Sequence, residues 1–209
     1  LILQFIIVGA YLLSVALAGG TTETVIPFLG SVDLGFFYYI LAAVFIVGMV
    51  NAVNFTDGID GLNTSVTLVV ALVFSVIAML LNRVGLSLYA AAIVGAMIGF
   101  LFWNANPAKV FMGDTGSLFL GGAVCALAFG VDMPILLILI GIIYIVEILS
   151  VVLQVTYFKI SHGKRIFKMA PIHHHFEMCG WNENKICFVF SGVTLFAGII
   201  GVLLAVFGC

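Results

Sequence analysis

Long apolar runs, separated by short polar stretches, alternate along the whole chain. A helix needs about 20 apolar residues to cross a bilayer core of roughly 30 Å. Seven runs approach or exceed this length, at about residues 1–18, 36–53, 62–81, 86–103, 117–131, 134–158 and 186–208. The pattern predicts an all-α, polytopic integral membrane protein with about seven transmembrane helices, organised as a single transmembrane domain over residues 1–209.

The first polar stretch, residues 19–35, has the composition of a small extramembrane element. Its Val-Ile-Pro-Phe-Leu-Gly-Ser-Val core mixes β-formers with turn residues. This mixture predicts a short β-hairpin around Gly30 and Ser31.

The positions of the basic residues predict the orientation in the membrane. With seven spans, the loops near 51–62, 103–117 and 159–185 share one side, and those at 19–35, 82–86 and 131–134 share the other. Six of the seven Lys and Arg residues fall on the first side: Lys109, Lys159, Lys164, Arg165, Lys168 and Lys185. Arg83 alone falls on the second. Cytoplasmic loops are enriched in Lys and Arg, so the first side is predicted to be cytoplasmic and the hairpin periplasmic.

Composition excludes several classes of protein. Hydrophobic residues make up 64% of the sequence and charged residues 8%, and the mean hydropathy is +1.35; an ordinary soluble domain does not have these values. The net charge of −2 provides no basic surface for nucleic acid. The four cysteines show no CxxC spacing, and Cys125 has the surroundings of a small core residue.

Three polar islands interrupt the apolar chain, and all three fall on the predicted cytoplasmic side. Island one covers 51–61, island two covers 104–117, and island three covers 171–177. Polar and charged groups are costly in such a chain unless they serve a function together. Their shared side favours one composite site at the membrane surface.

Island one places Asn54, Asp57 and Asp60 at intervals of three residues. A helical turn would bring them to one face, and Gly58 permits close approach of a ligand to the backbone. Neighbouring carboxylates require a cation, a proton or a hydrogen-bonding substrate between them. The alternative is helix capping, since Asp60 or Asn63 could cap the helix that starts near residue 62.

Island two contains Asp114, which is predicted to lie just before the fifth span. A lone carboxylate at a membrane surface suits Mg²⁺, which takes few protein ligands and binds phosphate oxygens. Capping is again an alternative, with Thr115 or Ser117 as equally good caps. Phe111 is suited either to anchor the chain at the interface or to stack on a base.

Island three contains three consecutive histidines, which cannot all point in one direction. Imidazoles titrate near neutral pH, donate to phosphate and carry protons. We expect one or two of them to contact substrate and at least one to be structural. Glu147, inside the sixth span, and Gln154, nearer the cytoplasm, are expected either to line a shared cavity or to bridge helices.

Three motifs resemble a known superfamily. They are Asn-Phe-Thr-Asp-Gly-Ile-Asp-Gly-Leu at 54–62, Phe-Met-Gly-Asp-Thr-Gly-Ser at 111–117 and Ala-Pro-Ile-His-His-His-Phe-Glu at 170–177. The first two resemble motifs shared by the polyprenyl-phosphate N-acetylhexosamine-1-phosphate transferases. The third is similar to the signature of their phospho-N-acetylmuramoyl-pentapeptide transferase branch.

The resemblance implies a ten-helix enzyme, of which this chain would lack three N-terminal helices. That segment would carry the paired aspartates and the nearby lysine that are often assigned to proton abstraction and phosphate binding. The chain would then be the later two-thirds of a transmembrane catalytic domain.

The resemblance also implies roles for individual residues. Asp114 resembles the Mg²⁺ ligand, and Phe111 resembles the residue that stacks near uracil. The expected catalytic residues are Asp57, Asp60, Asp114 and His173. The expected substrate-binding residues are Asn54, Gly58, Asn104, Phe111, Gln154, His173, His174 and His175.

The implied reaction transfers phospho-MurNAc-pentapeptide from its UDP conjugate to undecaprenyl phosphate. The products are lipid I and UMP, made at the cytoplasmic face of the bacterial inner membrane with Mg²⁺ as cofactor. A homodimer and inhibition by nucleosides that mimic the UDP-sugar are further expectations. Two other functions stay open: a sister enzyme that uses UDP-GlcNAc, and a transporter in which Glu147 relays protons.

Overall fold

A computed structural model describes residues 1–208 of the chain. Within them the elements, in chain order, are α1 (Ile2–Leu17), β1 (Glu23–Ile26), β2 (Gly30–Asp33), α2 (Phe36–Thr56), α3 (Leu62–Leu80), α4 (Val84–Asn104), α5 (Gly113–Gly130), α6 (Leu136–Ile140), α7 (Ile142–Ile160), α8 (Ile172–Glu177) and α9 (Glu183–Phe207).

Six of these helices, α2, α3, α4, α5, α7 and α9, are long and apolar enough to cross a membrane. The predicted class, a mostly helical polytopic membrane protein, is confirmed. Helix α1 is apolar but has only 16 residues, which is about 24 Å at 1.5 Å per residue and less than a typical bilayer core.

The sixth predicted span is divided in the structure. The apolar run 134–158 forms the five-residue α6 and then α7, with Gly141 between them. A side chain at Gly141 would meet the Leu137 carbonyl oxygen at 2.7 Å. The helix is interrupted at a point where a side chain would clash with the preceding turn, so an uninterrupted apolar run does not form one helix.

Helix α5 starts earlier than predicted, at Gly113 instead of about residue 117. The Ser117 hydroxyl donates to the Gly113 carbonyl at 3.1 Å, so the polar residues that looked like a loop form the first helical turn. Asp114 therefore lies inside that turn, where the helix dipole favours a carboxylate.

The predicted hairpin is present, with its turn displaced. Strands β1 and β2 pair antiparallel, from Glu23 opposite Asp33 to Ile26 opposite Gly30. The turn covers 27–29, because Phe28 and Gly30 both take positive φ values of 66° and 80°. The expected turn at Gly30 and Ser31 is thus the start of the second strand.

Helix α3 lies at the centre of the bundle, packed mainly against α4 and α9, while α2 packs against α5 and α7. Val66, Val70 and Phe74 of α3 are fully buried. Close helix crossings use glycine: a side chain at Gly121 of α5 would meet the Val50 Cα of α2 at 2.6 Å. Small residues allow such backbone contact between membrane helices.

The two ends of the bundle differ in chemistry. At one end the hairpin contacts the α5–α6 turn, where the Val25 amide donates to the Asp132 carbonyl at 2.9 Å. Arg83 pairs there with the Asp132 carboxylate at 2.7 Å. All three polar islands lie at the opposite end, where α2 and α4 end and α5 and α9 begin. The helical frame therefore gathers the islands, as the loop pattern predicted.

Candidate active site

Islands one and two form a single pocket of about 230 Å³. The turn after α2 and the start of α5 form its walls, so residues far apart in sequence become neighbours. Its lining residues are Asn54, Asp57, Gly58, Ile59, Asp60, Asn104, Phe111, Met112, Gly113 and Asp114. Seven of the predicted site residues are among them.

Asn54, on the last turn of α2, connects the two islands directly. Its side-chain amide donates to Asp114 Oδ1 at 3.1 Å and to Ser117 Oγ at 2.8 Å. Ser117 is fully buried and had not been assigned to the site. Its position one helical turn after Asp114 is the sequence signal that could have identified it.

Asp57 is a half-buried carboxylate close to Asp114. Burial raises the pKa of Asp57, the Asn63 side chain lowers it by hydrogen bonding, and the charge of Asp114 raises it again. The ionised form of Asp57 is therefore disfavoured as long as no cation lies nearby.

Asn63 is held in place by a buried hydrogen-bond chain. The Thr67 hydroxyl donates to Asn63 Oδ1 at 3.1 Å, and Tyr144 OH lies 2.7 Å from the same hydroxyl. With its carbonyl occupied, the Asn63 amide is left to donate, towards Met112 Sδ at 3.5 Å and towards Asp57. The link from Tyr144 on α7 to the pocket was not foreseen, because nothing in local periodicity pairs these helices.

The capping alternatives for islands one and two are wrong. Gly61, in the left-handed conformation at φ 75°, is the N-cap of α3, and no side chain caps that helix. Helix α5 follows Met112, also without a side-chain cap. Asp60, Asn63 and Ser117 therefore make their contacts elsewhere.

Asp60 ties two loops together. Its Oδ2 accepts from the Ala108 amide at 2.8 Å and from the Asn106 side chain at 3.3 Å. Its own amide donates to Glu183 Oε2 at 2.9 Å. The carboxylate thus orders the segment that leads into island two, and its predicted catalytic role stays a prediction.

Asn104 and Phe111 have different functions in the pocket wall. Asn104 is buried; its Oδ1 accepts from Thr64 at 2.6 Å, and its Nδ2 donates to the Val110 carbonyl at 3.0 Å. It therefore shapes the loop that ends at Phe111. The Phe111 ring is 74% exposed at the pocket, which leaves a free face for stacking.

His173 lies behind the pocket. Its Nδ1 is 3.0 Å from Glu147 Oε2, and neither side chain is exposed. A Cβ on Gly58 would be only 2.2 Å from His173 Nε2, so the imidazole packs against the Asp57–Gly58 turn. Among the described residues, His173 Nε2 and Glu147 Oε1 have no hydrogen-bond partner.

The other two histidines point elsewhere, as three consecutive residues must. His174 Nδ1 contacts the Glu177 carboxylate, and its side chain is about a quarter exposed. His175 Nδ1 accepts from the Lys168 amide at 3.1 Å. Of the three, only His174 is thus both accessible and free of a backbone contact.

The Gln154 side chain makes hydrogen bonds to the backbone of the segment that follows α7. Its Oε1 accepts from the Ile166 and Phe167 amides at 3.1 and 2.9 Å, and its Nε2 donates to the Phe167 carbonyl at 3.3 Å. These bonds fix the segment between α7 and α8. Of the two alternatives for Glu147 and Gln154, these contacts favour bridging, because Glu147 is fully buried against His173 and Gln154 binds the backbone of the next segment.

Six helices that are long and apolar enough to cross a membrane, with a carboxylate pocket at one end of the bundle, define the class of a polytopic membrane protein. The sequence profile described as Glycosyl transferase family 4 matches residues 1–132. The chain belongs to this family.

Several curated relatives share the name phospho-N-acetylmuramoyl-pentapeptide-transferase. A Clostridium botulinum protein is 52% identical over 86% of this chain and 56% of its own length. A Clostridium perfringens protein is 55% identical over 83% and 54%, and a Listeria monocytogenes protein is 49% identical over 90% and 59%. The chain spans a little over half the length of these relatives.

Proposed function

We propose that this chain is part of an enzyme that transfers phospho-MurNAc-pentapeptide from UDP-MurNAc-pentapeptide to undecaprenyl phosphate. The products are lipid I and UMP, and the site faces the cytoplasm at the bacterial inner membrane. The Asn54–Asp114 hydrogen bond at 3.1 Å carries the proposal, because it joins islands one and two in one pocket. The names of the relatives and the prevalence of cations at this end of the bundle support it.

The donor set of the pocket fits a hard divalent cation. Asp57 and Asp114 supply carboxylate oxygens, and the pKa of Asp57 is raised first by burial and then by the neighbouring charge of Asp114. No group of three or more His, Cys, Asp or Glu side chains suited to a metal occurs in the described residues, and Mg²⁺ commonly relies on one or two carboxylates plus phosphate oxygens. We assign Asp114 as its ligand, with Asp57 beside it; the bound ion would offset the charge of the donor diphosphate.

The protein groups in the pocket position the donor. Asn54 fixes the rotamer of Asp114, and the exposed ring of Phe111 presents a face to the uracil base. Asn104 and Asp60 order the loop that carries Phe111. The cations of the segment after α7 attract the nucleotide over a longer range.

The reaction needs a nucleophile that is already ionised, and the lipid phosphate meets this requirement at neutral pH. One of its oxygens attacks the phosphorus bonded to the sugar, and the bond from that phosphorus to the UMP phosphate breaks. The sugar–phosphate bond is retained. Holding both phosphates in line at a membrane surface is then the main contribution of the protein.

His173 and His174 are assigned different parts. His174, partly exposed, is the member placed to reach the donor. His173, locked behind Gly58 by Glu147, supports the turn that carries Asp57. Replacing each histidine with Ala distinguishes the two roles. His174→Ala should raise KM for the nucleotide sugar, whereas His173→Ala should lower both turnover and the stability of the fold.

The experiment that tests the proposal compares Asp114→Asn with Asp33→Asn in the purified, reconstituted full-length enzyme that contains this chain. Asp33 lies in the hairpin at the opposite end of the bundle and provides the same chemical change away from the pocket. Loss of an electrostatic contact to the transition state lowers turnover about 100-fold or more. UMP release should fall by that factor for Asp114→Asn and change less than about twofold for Asp33→Asn. Near-normal UMP release from Asp114→Asn would exclude its metal-binding role.

The two other functions considered are not favoured. The relatives carry the muramoyl-pentapeptide name, which argues against UDP-GlcNAc as donor; a donor-swap assay checks this directly. A proton-relaying transporter needs accessible ionisable groups near the middle of the membrane. Here Glu147 is enclosed with His173, and the carboxylates Asp57 and Asp114 lie at one end.

A further inference from the structure

A second polar-rimmed depression lies at the end of α7. It has a volume of about 430 Å³ and forms between α7 and the segment that follows it. We call it the basic groove; the lining residues used below are Val155, Phe158, Lys159, Arg165 and Met169. It shares no lining residue with the Asp57–Asp114 pocket.

The walls of the basic groove are apolar and exposed. Val155 and Phe158 are 47% and 44% exposed on a helix that is long enough to cross the membrane, and Met169 is 44% exposed on the following segment. Lys159 lies in the last turn of the same helix. Apolar side chains within the acyl layer and a cation at the helix end place this groove at the level of lipid headgroups.

The charge around the basic groove is unbalanced. Residues 148–176 contain Lys159, Lys164, Arg165 and Lys168 and no Asp or Glu. In the part of the chain that the structure describes, the close contacts between basic and acidic side chains are Arg83–Asp132, His173–Glu147 and His174–Glu177, and none involves a groove cation. The only side-chain hydrogen bond of Arg165 described there is a 3.5 Å contact to the Lys168 carbonyl. The groove thus presents two cations without a protein anion.

We propose that the basic groove binds the headgroup phosphate of an anionic phospholipid from the surrounding leaflet. Lys159 and Arg165 hold the phosphate, and an acyl chain follows Val155 and Phe158. Juxtamembrane cations attract anionic lipids in this way. A soluble phosphate would leave the apolar wall unused, and under the proposed function the lipid substrate places its phosphate in the separate Asp57–Asp114 pocket.

The bound lipid would add a contact between two parts of the chain that the Gln154 side chain already connects. Lys159 belongs to α7 and Arg165 to the segment leading to α8, and Gln154, in the same groove, already binds the backbone of 166 and 167. A phosphate bridging Lys159 and Arg165 adds a second clamp at this joint. The bound lipid then anchors the segment that leads to His173 at the membrane surface.

Native mass spectrometry of the purified protein tests the proposal by measuring how much lipid is retained. The probes are phosphatidylglycerol and phosphatidylcholine with identical acyl chains. The test variant is Lys159→Gln/Arg165→Gln. The matched control, Lys109→Gln/Lys185→Gln, removes the same charge at the same end of the bundle but outside the groove, where these lysines lie over Trp103 and Trp181.

Each Lys or Arg near the membrane surface strengthens the binding of an anionic lipid. The test variant loses two such cations, so its retention of phosphatidylglycerol should fall about tenfold or more. The control variant should change this retention less than about twofold. The charge-preserving variant Lys159→Arg/Arg165→Lys should retain the lipid. Phosphatidylcholine should bind the native protein and the test variant equally weakly. The assay requires no nucleotide or turnover, so its result is independent of the transferase proposal.

Four results would overturn the proposed site. Unchanged phosphatidylglycerol retention in the test variant would exclude the two cations. If the native protein retained phosphatidylcholine as well as phosphatidylglycerol, the groove would be an apolar surface without selectivity for an anionic headgroup. Displacement of the lipid by millimolar inorganic phosphate would make it a site for small anions, and complete displacement by undecaprenyl phosphate would make it part of the substrate path.

Discussion

His173 Nδ1 lies 3.0 Å from Glu147 Oε2, and both side chains are completely buried. This pair joins α7 to α8 directly beneath the Asp57–Gly58 turn, so the wall of the pocket rests on it. The histidines of island three are therefore not equivalent. One is enclosed with a carboxylate, one reaches solvent beside Glu177, and one is bound to the backbone.

Removing the carboxylate of this pair should destabilise the fold strongly. Glu147→Leu leaves a buried imidazole without a partner, and an unsatisfied buried polar group lowers the free energy of unfolding by about 1–3 kcal/mol. Glu147→Gln keeps an amide oxygen within reach of Nδ1 and should lose markedly less. Denaturant unfolding in detergent measures both. Equal stability of Glu147→Leu and the native protein would mean that the pair makes no net contribution.

Gly58 should tolerate no side chain. In Gly58→Ala the new Cβ would meet His173 Nε2 at 2.2 Å, so the imidazole or the turn must move. Overpacking of this kind lowers the free energy of unfolding by about 1–3 kcal/mol, and displacement of Asp57 should lower UMP release as well.

Gly48→Ala is the control for this substitution. Gly48 lies in α2, and a Cβ there would meet nothing within 4 Å. It should be neutral or slightly stabilising, because alanine favours helix more than glycine does. If the two variants behave alike in unfolding and in UMP release, contact with His173 does not explain the glycine at position 58.

Asp60 should act through the loop that it holds. Asp60→Ala removes the acceptor of the Ala108 amide, and an unsatisfied donor costs about 1–3 kcal/mol. Hydrogen exchange of the amides at 105–111 should accelerate, and KM for the nucleotide sugar should rise more than turnover falls. Asn106→Ala removes only the longer 3.3 Å bond and should have a smaller effect on exchange. A fall in turnover with unchanged exchange would instead support the catalytic role predicted for Asp60.

The sequence was sufficient to predict a polytopic membrane protein and the proximity of islands one and two. Long apolar runs indicate the helices directly, and successive loops alternate between the two sides of the membrane, which places both islands on the same side. It could not show how polar groups pair across the bundle. Asn54 with Ser117, Asp60 with Ala108, and Tyr144 with Thr67 depend on the rotation of each helix about its axis. The division at Gly141 was also missed, because the clash of a side chain there with the Leu137 carbonyl depends on the local backbone conformation between α6 and α7.

Asp57 should reduce the stability of the fold at neutral pH when no cation is present. Burial first, and the charge of Asp114 after it, hold the pKa of Asp57 above its ordinary value of 3.8. Between that value and the raised one, the native state binds more protons than the unfolded chain does. The free energy of unfolding therefore falls as pH rises through this window, and the full penalty is present above it.

Asp57→Asn removes this penalty, so the variant should be at least as stable as the native protein at neutral pH and should lose the slope in the window. UMP release should nevertheless fall, because the amide carries no charge for a cation. Asp33→Asn offers the opposite case. Hydrogen bonds from Thr22 and the Gly35 amide lower the pKa of Asp33, so this variant should be less stable at neutral pH than the native protein.

Thermal unfolding of the three proteins between pH 4 and pH 8, with and without MgCl₂, tests the whole argument. Added Mg²⁺ should raise the unfolding temperature of the native protein and of Asp33→Asn, since binding to the native state alone stabilises it. It should raise that of Asp57→Asn much less. A variant with asparagine at position 57 that responds to Mg²⁺ like the native protein would show that the ion binds without this carboxylate. A native protein whose stability does not fall with rising pH would show that burial and the charge of Asp114 do not raise the pKa of Asp57 enough to affect folding.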